Sequence, residues 1–319
     1  MRRLYAVIAL LFALSLFAPT ALSQEASPGT GAGVGACVAP EIPPGTPTPM
    51  EVASPDAAME NMDATPEEAA PPPAAASPEI PVGEPAPADV VAAVEATVQN
   101  GINCLNAGDY VAFAALFTPD ALMDECGTTN VYDGPMCFGG GSPVTHSEVS
   151  DVQVHADGRV SADLILQFGS FLTHERQFFV VAADGTYLLD LSPDLPVAIP
   201  QGATIVDGEL TDFAFVLRQN NAPAGDVAFT LTNTGQFPHE MVVLRLPAGM
   251  TVDTLFEDES NFAQVEFIGF TFAGPGQVAD PLVLVDLEPG TYTLVCFVDQ
   301  PDGIPHAMRG MVTEFEVVP

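Results

Sequence analysis

Five sulfur and nitrogen donors in the C-terminal part of the chain are of the types that bind a redox-active metal. Cys296, His306 and Met311 lie in one stretch, where Met308 offers a second thioether, and a further imidazole, His239, lies upstream. Two imidazoles, a thiolate and a weak axial thioether are the donor set of a blue-copper electron-transfer site. We therefore predict one copper ion, with two histidines, the cysteine and Met311 as ligands. Met311 is preferred to Met308 because it opens a strand-like run.

The pattern before the thiol predicts that it points into the protein. A strand-like run extends from Gly290 to Val298, and Tyr292, Leu294 and Cys296 alternate along it. Alternate residues of a strand share one face. A thiolate inside a protein is costly without a cation, and copper would supply that charge. Backbone amides are expected to bond to the sulfur, and either a backbone carbonyl or Asn233 to orient the upstream imidazole.

Other catalytic and metal-binding motifs are absent from the sequence. A trinuclear copper centre needs paired His-x-His motifs, and a binuclear purple copper site needs two cysteines where the chain has only Cys296. The sequence also lacks Cys-x-x-Cys, a haem-attachment motif, His-Glu-x-x-His, a phosphate-binding glycine loop and Gly-x-Ser-x-Gly.

The elements that must position the donors are strands. From residue 199 to residue 319 the chain alternates strand-like runs with glycine and proline turns, and Thr251–Glu259 adds a short predicted helix. Seven such runs in about 120 residues are typical of an antiparallel β-sandwich. The predicted strands are Gly208–Leu217, Asp226–Asn233, Met241–Leu246, Phe262–Phe272, Asp280–Asp286, Gly290–Val298 and Val312–Val318.

Three segments of this region resemble the cupredoxins, the Greek-key sandwiches of plastocyanin, azurin and pseudoazurin. Leu231-Thr-Asn-Thr-Gly-Gln-Phe-Pro-His239 resembles the strand and loop that carry the first histidine ligand of the family. Leu287-Glu-Pro-Gly-Thr-Tyr-Thr-Leu-Val-Cys296 resembles the turn and strand before its cysteine, and His306 and Met311 have a spacing that the family uses. The loop between the cysteine and His306 is longer than in many small cupredoxins and comparable with that of copper nitrite reductases. The resemblance implies one type 1 copper ion and electron transfer.

Residues 89–195 predict a compact α+β domain. Apolar residues at intervals of three and four from Val90 to Leu105 predict an amphipathic helix, and Tyr110 to Phe117 predicts a second, short helix. The period then changes to two, which predicts an antiparallel meander. Its predicted strands are Val152–Val154, Val160–Phe168, Gln177–Ala182 and Tyr187–Leu191.

This order of elements resembles the nuclear-transport-factor-two-like, or SnoaL-like, α+β cone. The segment that carries the resemblance is Leu105-Asn-Ala-Gly-Asp-Tyr-Val-Ala-Phe-Ala-Ala-Leu-Phe-Thr-Pro-Asp120. It implies an apolar pocket for a small molecule and, in some members, an isomerase or cyclase site built on a base and an acid. Four residues have suitable groups but lie in no transferable motif, so a ligand-binding or spacer domain is favoured. They are Asp163, His155, His174 and Tyr187.

The N-terminus predicts export. Arg2 and Arg3 precede a short apolar run, and small residues at Ala21 and Ser23 fit a cleavage site before Gln24. Residues 1–23 are therefore predicted to be a secretory signal peptide. No later segment is long and apolar enough to span a bilayer.

Residues 24–88 predict a disordered linker. They are rich in proline, alanine and acidic residues and contain no basic residue, histidine or aromatic residue. Such a segment cannot bury enough apolar surface to offset its chain entropy.

The charge of the chain excludes one class of partner and favours another. The formal net charge is −35, and all seven basic residues are arginine. The phosphates of nucleic acid must be neutralised by cationic side chains, so nucleic acid is not an expected partner. A cationic redox protein is an expected partner, because its charge is opposite to that of the chain.

The five cysteines fall into two groups. In an oxidising compartment Cys126 and Cys137 are close enough in sequence to close a loop, but Cys37 and Cys104 leave other pairings open. Cys296 is left over, which fits a metal ligand or a buried inert thiol.

Together these observations predict an exported one-copper electron carrier with an accessory domain that binds a small molecule or a partner. Two alternatives stay open. The first is a metal-free secreted binding protein that uses both domains for recognition, and the second is an isomerase or cyclase in the cone.

Overall fold

The computed structural model describes residues 35–40, 42, 44–47 and 83–319. The predicted signal peptide and most of the predicted linker lie outside these residues. From residue 83 onward the described chain has two regions. The first, 84–191, contains a short strand, helices and a meander, and the second, 204–318, is a β-sandwich.

The first region has the predicted long helix, which ends where Gly108 adopts a left-handed φ of 71°. The carboxylate of Asp109 then accepts the N–H of Ala112 and begins the second helix. A third helix, absent from the prediction, begins at Thr118, whose hydroxyl accepts the N–H of Ala121. The helices are α1 Ala88–Ala107, α2 Tyr110–Ala114, α3 Pro119–Cys126 and α4 Gly134–Phe138.

The meander that follows is antiparallel. The strands of this region are β1 Glu84–Pro85, β2 Val144–Val154, β3 Val160–Phe168, β4 Phe171–Val181 and β5 Tyr187–Leu191. Strands β2 and β4 are longer than the predicted strands Val152–Val154 and Gln177–Ala182. An apolar cluster fills the space between the helices and one face of these strands. It includes Val94, Val98, Ile102, Leu122, Val160, Leu164, Phe179 and Leu189. The arrangement is α+β, and the SnoaL-like cone stays a prediction.

Part of the predicted linker is attached to this region, which corrects the expectation that all of residues 24–88 are disordered. Cys37 forms a disulfide with Cys104 of α1. The N–H of Val38 donates to Oδ1 of Asn100 at 2.8 Å, and the amide of Asn100 donates back to the Val38 carbonyl at 2.9 Å. A covalent link and paired hydrogen bonds offset the chain entropy that composition alone leaves uncompensated. The second disulfide joins Cys126 and Cys137, one of the pairings left open.

The second region contains nine strands and one α-helix, α5, at Val252–Glu257. The strands are β6 Thr204–Thr211, β7 Ala214–Leu217, β8 Asn221–Pro223, β9 Gly225–Asn233, β10 His239–Arg245, β11 Glu266–Ala273, β12 Leu282–Leu287, β13 Gly290–Val295 and β14 Val312–Val318.

One predicted strand, Gly208–Leu217, is wrong as a single element. It is the hairpin β6–β7, in which Thr211 pairs with Ala214. The two residues of the turn are Asp212 and Phe213, and Phe213 has a left-handed φ of 65°. A positive φ at the second central residue of a turn favours glycine, and an aromatic residue seldom adopts it.

The nine strands form two facing sheets, consistent with the predicted cupredoxin-like sandwich. One sheet has the order β12-β9-β6-β7 and the other β11-β10-β13-β14-β8. Their inner faces share one apolar core, to which β10 contributes Met241 and Val243. The alternate residues Val242 and Leu244 of β10 pack on the other side beneath α5. Both faces of this central strand are therefore buried.

The first sheet of the sandwich continues into the meander of the first region. Strand β4 pairs with β12 at Phe171 and Leu284, and the N–H of Val285 donates to the Ser170 carbonyl at 2.8 Å. The ring of Phe171 packs over Gly269 of β11, where a Cβ would lie 2.9 Å from it. The division into units at 89–195 and 199–319 stays a prediction. Among the described residues, no helix has the length and apolar character needed to cross a membrane.

Candidate metal centre

Three of the four predicted ligands lie together inside the sandwich. The potential donor atoms of His239, Cys296 and His306 are all within 4.8 Å of one another. The Nδ1 atoms of the two histidines are 2.9 Å apart, and Sγ of Cys296 is 3.4 Å from Nδ1 of His306. All three side chains are 0% exposed. The fold thus brings two imidazoles and one thiol to a single buried point.

His239 reaches this point because it begins β10 after a loop that Asn233 organises. The amide nitrogen of Asn233 donates to the carbonyls of Phe237 and Ala273, and its oxygen accepts the N–H of Gly235. Asn233 therefore holds the loop, whereas the ring of His239 bonds to a different side chain. The expectation that a backbone carbonyl or Asn233 orients His239 is therefore wrong, because the outer nitrogen of the ring lies against the carboxylate of Asp212.

Cys296 lies directly after β13, with its side chain in the core that also contains Tyr292 and Leu294. The predicted alternation along this strand is thus confirmed. The N–H of Cys296 donates to the Met311 carbonyl at 3.2 Å, and its carbonyl accepts the N–H of Ala307 at 2.8 Å. These two bonds fix the end of β13 against the segment that carries the second histidine.

The long loop between Cys296 and His306 is a compact turn. The N–H of His306 donates to the Val298 carbonyl at 2.9 Å, so the loop returns next to the place where it began. Within it, Gln300 donates to the Ile304 carbonyl and accepts from Gly303. The additional residues of this loop therefore project away from the site, and Cys296 and His306 stay close together.

The two methionines of this segment have opposite environments. Met311 is 0% exposed and lies in the same core as Cys296, whereas Met308 is 53% exposed. A thioether must be buried beside the thiol to act as an axial ligand, and burial favours Met311.

Burial controls the protonation of all three donors. It raises the pKa of Cys296 to about 12, although N–H groups of Glu240 and Val298 bond to the sulfur and act in the opposite direction. Burial also lowers the pKa of His306 to about 4, with a further contribution from His239. Burial lowers the pKa of His239 as well, and Asp212 only partly opposes it. Both imidazoles are therefore neutral at physiological pH, and the thiol needs a cation to ionise.

Glu240 connects the two ligand-bearing strands, a role that the sequence did not suggest. Its side chain is buried, and Oε1 accepts the N–H of Phe297 at 2.9 Å. Burial raises its pKa to about 7. The residue after the first histidine is thus bonded to the residue after the cysteine.

The outer nitrogen of each ring also has a side-chain partner. Nε2 of His239 is 3.2 Å from Oδ1 of Asp212, and Nε2 of His306 is 2.5 Å from the side-chain amide nitrogen of Gln300. Asp212 lies 27 residues before its partner, in the turn of a hairpin that the sequence did not reveal. Local sequence patterns contain no signal for such a contact.

The candidate residues of the first region are each bound by a different partner. Asp163 forms an ion pair with Arg176 at 2.5 Å, and the ring of His155 bonds to the Ser161 hydroxyl at 2.8 Å. His174 bonds to the Pro196 carbonyl, and Tyr187 packs edge-on against Phe179. An acid–base site at these residues stays a prediction.

No protein-family profile and no curated protein matches the chain. Among solved structures, it is similar to auracyanin from Roseiflexus castenholzii, with 21% identity, a TM-score of 0.27, and coverage of 37% of this chain and 100% of that one. Auracyanin A, a blue copper protein from Chloroflexus aurantiacus, has 16% identity, a TM-score of 0.25, and coverage of 36% and 99%. A multicopper oxidase from Campylobacter jejuni has 7% identity, a TM-score of 0.25, and coverage of 55% of this chain and 50% of that one.

The chemistry of the site decides which ion it suits. Two neutral imidazoles and one thiol, converging in a closed apolar interior, form the trigonal set in which copper is held with a weak fourth contact. The donor set of His239, Cys296 and His306 fits one type 1 copper ion.

Proposed function

We propose that this protein binds one type 1 copper ion through His239, Cys296, His306 and Met311 and transfers electrons. The observation that supports the proposal most is the convergence of three buried donors from two loops, the histidines being 67 residues apart in sequence. Copper, when bound, supplies a one-electron couple.

The surroundings of the donors favour electron transfer over catalysis at the metal. All three donors are inaccessible to solvent, and the thiol and Met311 belong to the packed core. Packed side chains resist displacement, so the ligands would keep their positions when the charge of the site changes. A closed site also leaves no coordination position for a substrate.

The test uses the full chain, loaded with copper(II), and its visible spectrum. We expect an intense thiolate-to-copper band that Cys296→Ser abolishes. His239→Gln and His306→Gln should each weaken or shift the band. His146→Gln is the matched control, because His146 is an exposed residue of β2 and should leave the spectrum unchanged.

The axial ligand is tested with a matched pair. Met311→Leu should change the reduction potential while keeping the band, and Met308→Leu should change neither, because Met308 is more than half exposed. A colourless wild-type protein without stoichiometric copper would overturn the proposal and favour a metal-free binding protein.

We also propose that the protein is exported and acts with a cationic redox partner. Two disulfides among the described residues favour an oxidising compartment, and the net charge of −35 favours a partner of opposite sign. Mass analysis of the exported product should find Gln24 at its N-terminus. Its electron-transfer rate with a basic redox protein should fall as ionic strength rises, since salt screens surface charge.

A further inference from the structure

The outer edges of the two candidate copper-binding imidazoles have chemically different partners. A carboxylate, Asp212, lies at Nε2 of His239, whereas a neutral amide, Gln300, lies at Nε2 of His306. Both imidazoles present Nδ1 to the same point, where these atoms are 2.9 Å apart.

The chemistry of imidazole defines what these partners must do. A ring that gives its Nδ1 lone pair to a metal carries its proton on Nε2, so the outer partner must accept a hydrogen bond. The Asp212 carboxylate is an acceptor in its ionised form. The Gln300 side chain can present its oxygen, since the orientation of an amide follows from the hydrogen bonds around it.

Asp212 is held in this position by the loop that carries His239. Its Oδ1 accepts the N–H of Gln236 at 2.9 Å. Gly235 leaves the space for this contact, because a Cβ there would lie 2.3 Å from Oδ1.

Gln300 is held with similar precision by the compact turn before His306. Its backbone closes the turn with Ile304 and Gly303. The ring of Phe213, from the β6–β7 turn, packs edge-on against His306 at 5.2 Å, and Phe237 lies 6.2 Å from it. The imidazole is therefore enclosed on its outer side, and its Nε2 has the Gln300 side chain as a polar partner.

We infer that Asp212 and Gln300 are positioning residues that place the proton of each ligand imidazole on Nε2, and that the carboxylate on His239 lowers the reduction potential of the copper. The inference rests on the proposed function. An anionic partner makes an imidazole a stronger donor. A stronger donor favours the more highly charged copper(II) over copper(I), so the charge on Asp212 acts on the potential.

Two substitutions that hardly change the size of the side chain test the inference, and they should shift the reduction potential in opposite directions. Asp212→Asn removes the charge from His239 and should raise the potential. Loss of such an outer partner typically weakens metal binding about 10- to 100-fold. If only the affinity for copper(II) falls by this factor, the potential rises by about 59 to 118 mV, at 59 mV per tenfold for one electron. Gln300→Glu places a charge on His306 and should lower the potential. Asp207→Asn is the control. It removes an exposed charge from strand β6, which precedes the turn that contains Asp212, and it should change the potential little.

The readouts are cyclic voltammetry of the copper-loaded full chain and thermal unfolding after chelation of copper, which reports whether each variant is folded. A wild-type chain without the blue band overturns both the proposed function and this inference. A blue wild-type chain whose D212N variant is folded and has the potential of D207N overturns the inference alone. If D212N does not fold, Q300E decides, and an unchanged or higher potential refutes the inference.

Discussion

Replacing Gly235 by alanine should break the contact between Asp212 and His239 without changing either residue. The added Cβ would lie 2.3 Å from Oδ1 of Asp212 and 2.8 Å from Nε2 of His239. Neither distance is compatible with ordinary packing, so the carboxylate or the loop must move. The backbone of Gly235 lies outside the left-handed region, so the effect arises from the methyl group and not from backbone strain.

The cost follows from the hydrogen bonds that would be lost. Asp212 accepts one from the Gln236 N–H at 2.9 Å and one from His239 at 3.2 Å. Hydrogen bonds to a charged group contribute about 1.5–3 kcal/mol each. Because the Asp212 side chain is 28% exposed, water recovers part of this, and we expect a net loss of about 2 kcal/mol. If residues 83–319 unfold together, a loss of about 2 kcal/mol would lower the melting temperature by roughly 4–8 °C.

Differential scanning calorimetry with and without copper measures the stability, and voltammetry measures the potential. Gly141→Ala is the matched control, because its Cβ would meet nothing within 4 Å and its backbone is also outside the left-handed region. The reduction potential of G235A should be higher than that of the wild type, as is expected for D212N. The reasoning is refuted if G235A equals G141A in both melting temperature and potential.

Three further outcomes are expected. Removing the Cys37–Cys104 disulfide by double serine substitution should lower the free energy of unfolding by about 4 kcal/mol, as loop-closure entropy over a sequence separation of 67 predicts. Urea denaturation measures this, and it would show no loss of stability if the link were absent. Burial raises the pKa of Glu175, so the ionised form of this residue destabilises the fold. The free energy of unfolding of the wild type should therefore decrease as pH rises above the ordinary pKa of glutamate, and that of E175Q should depend less on pH. Parallel curves of stability against pH would contradict this. Gly269→Ala should cost about 1–3 kcal/mol, because its Cβ would lie 2.9 Å from the Phe171 ring where β4 joins β12, and an unchanged melting temperature would refute that packing.

Much of the sandwich could be predicted because strands show a local pattern. The run that ends at Val318 was placed with its observed bounds, and the alternation through Leu294 correctly placed the Cys296 side chain in the core. The hairpin turn at Asp212 was missed, because Phe213 adopts a left-handed backbone that aromatic residues seldom show.

Contacts between distant parts of the chain were less accessible to sequence reasoning. Composition around Cys37 indicates disorder, yet the structure places it against α1 in a disulfide with Cys104. The pairing of β4 with β12 likewise has no local signal, since it depends on how two regions pack.

The sequence by itself determined which residues are candidate copper donors and on which face of its strand the thiol lies, because both depend on residue type and short-range periodicity. Only the tertiary structure decided that the donors meet, that Met311 is buried while Met308 is exposed, and that Asp212 and Gln300 bind the outer edges of the two rings. The physical reason is that these contacts join residues from separate loops and strands. Their positions follow from the packing of two sheets and not from neighbouring residues in the chain.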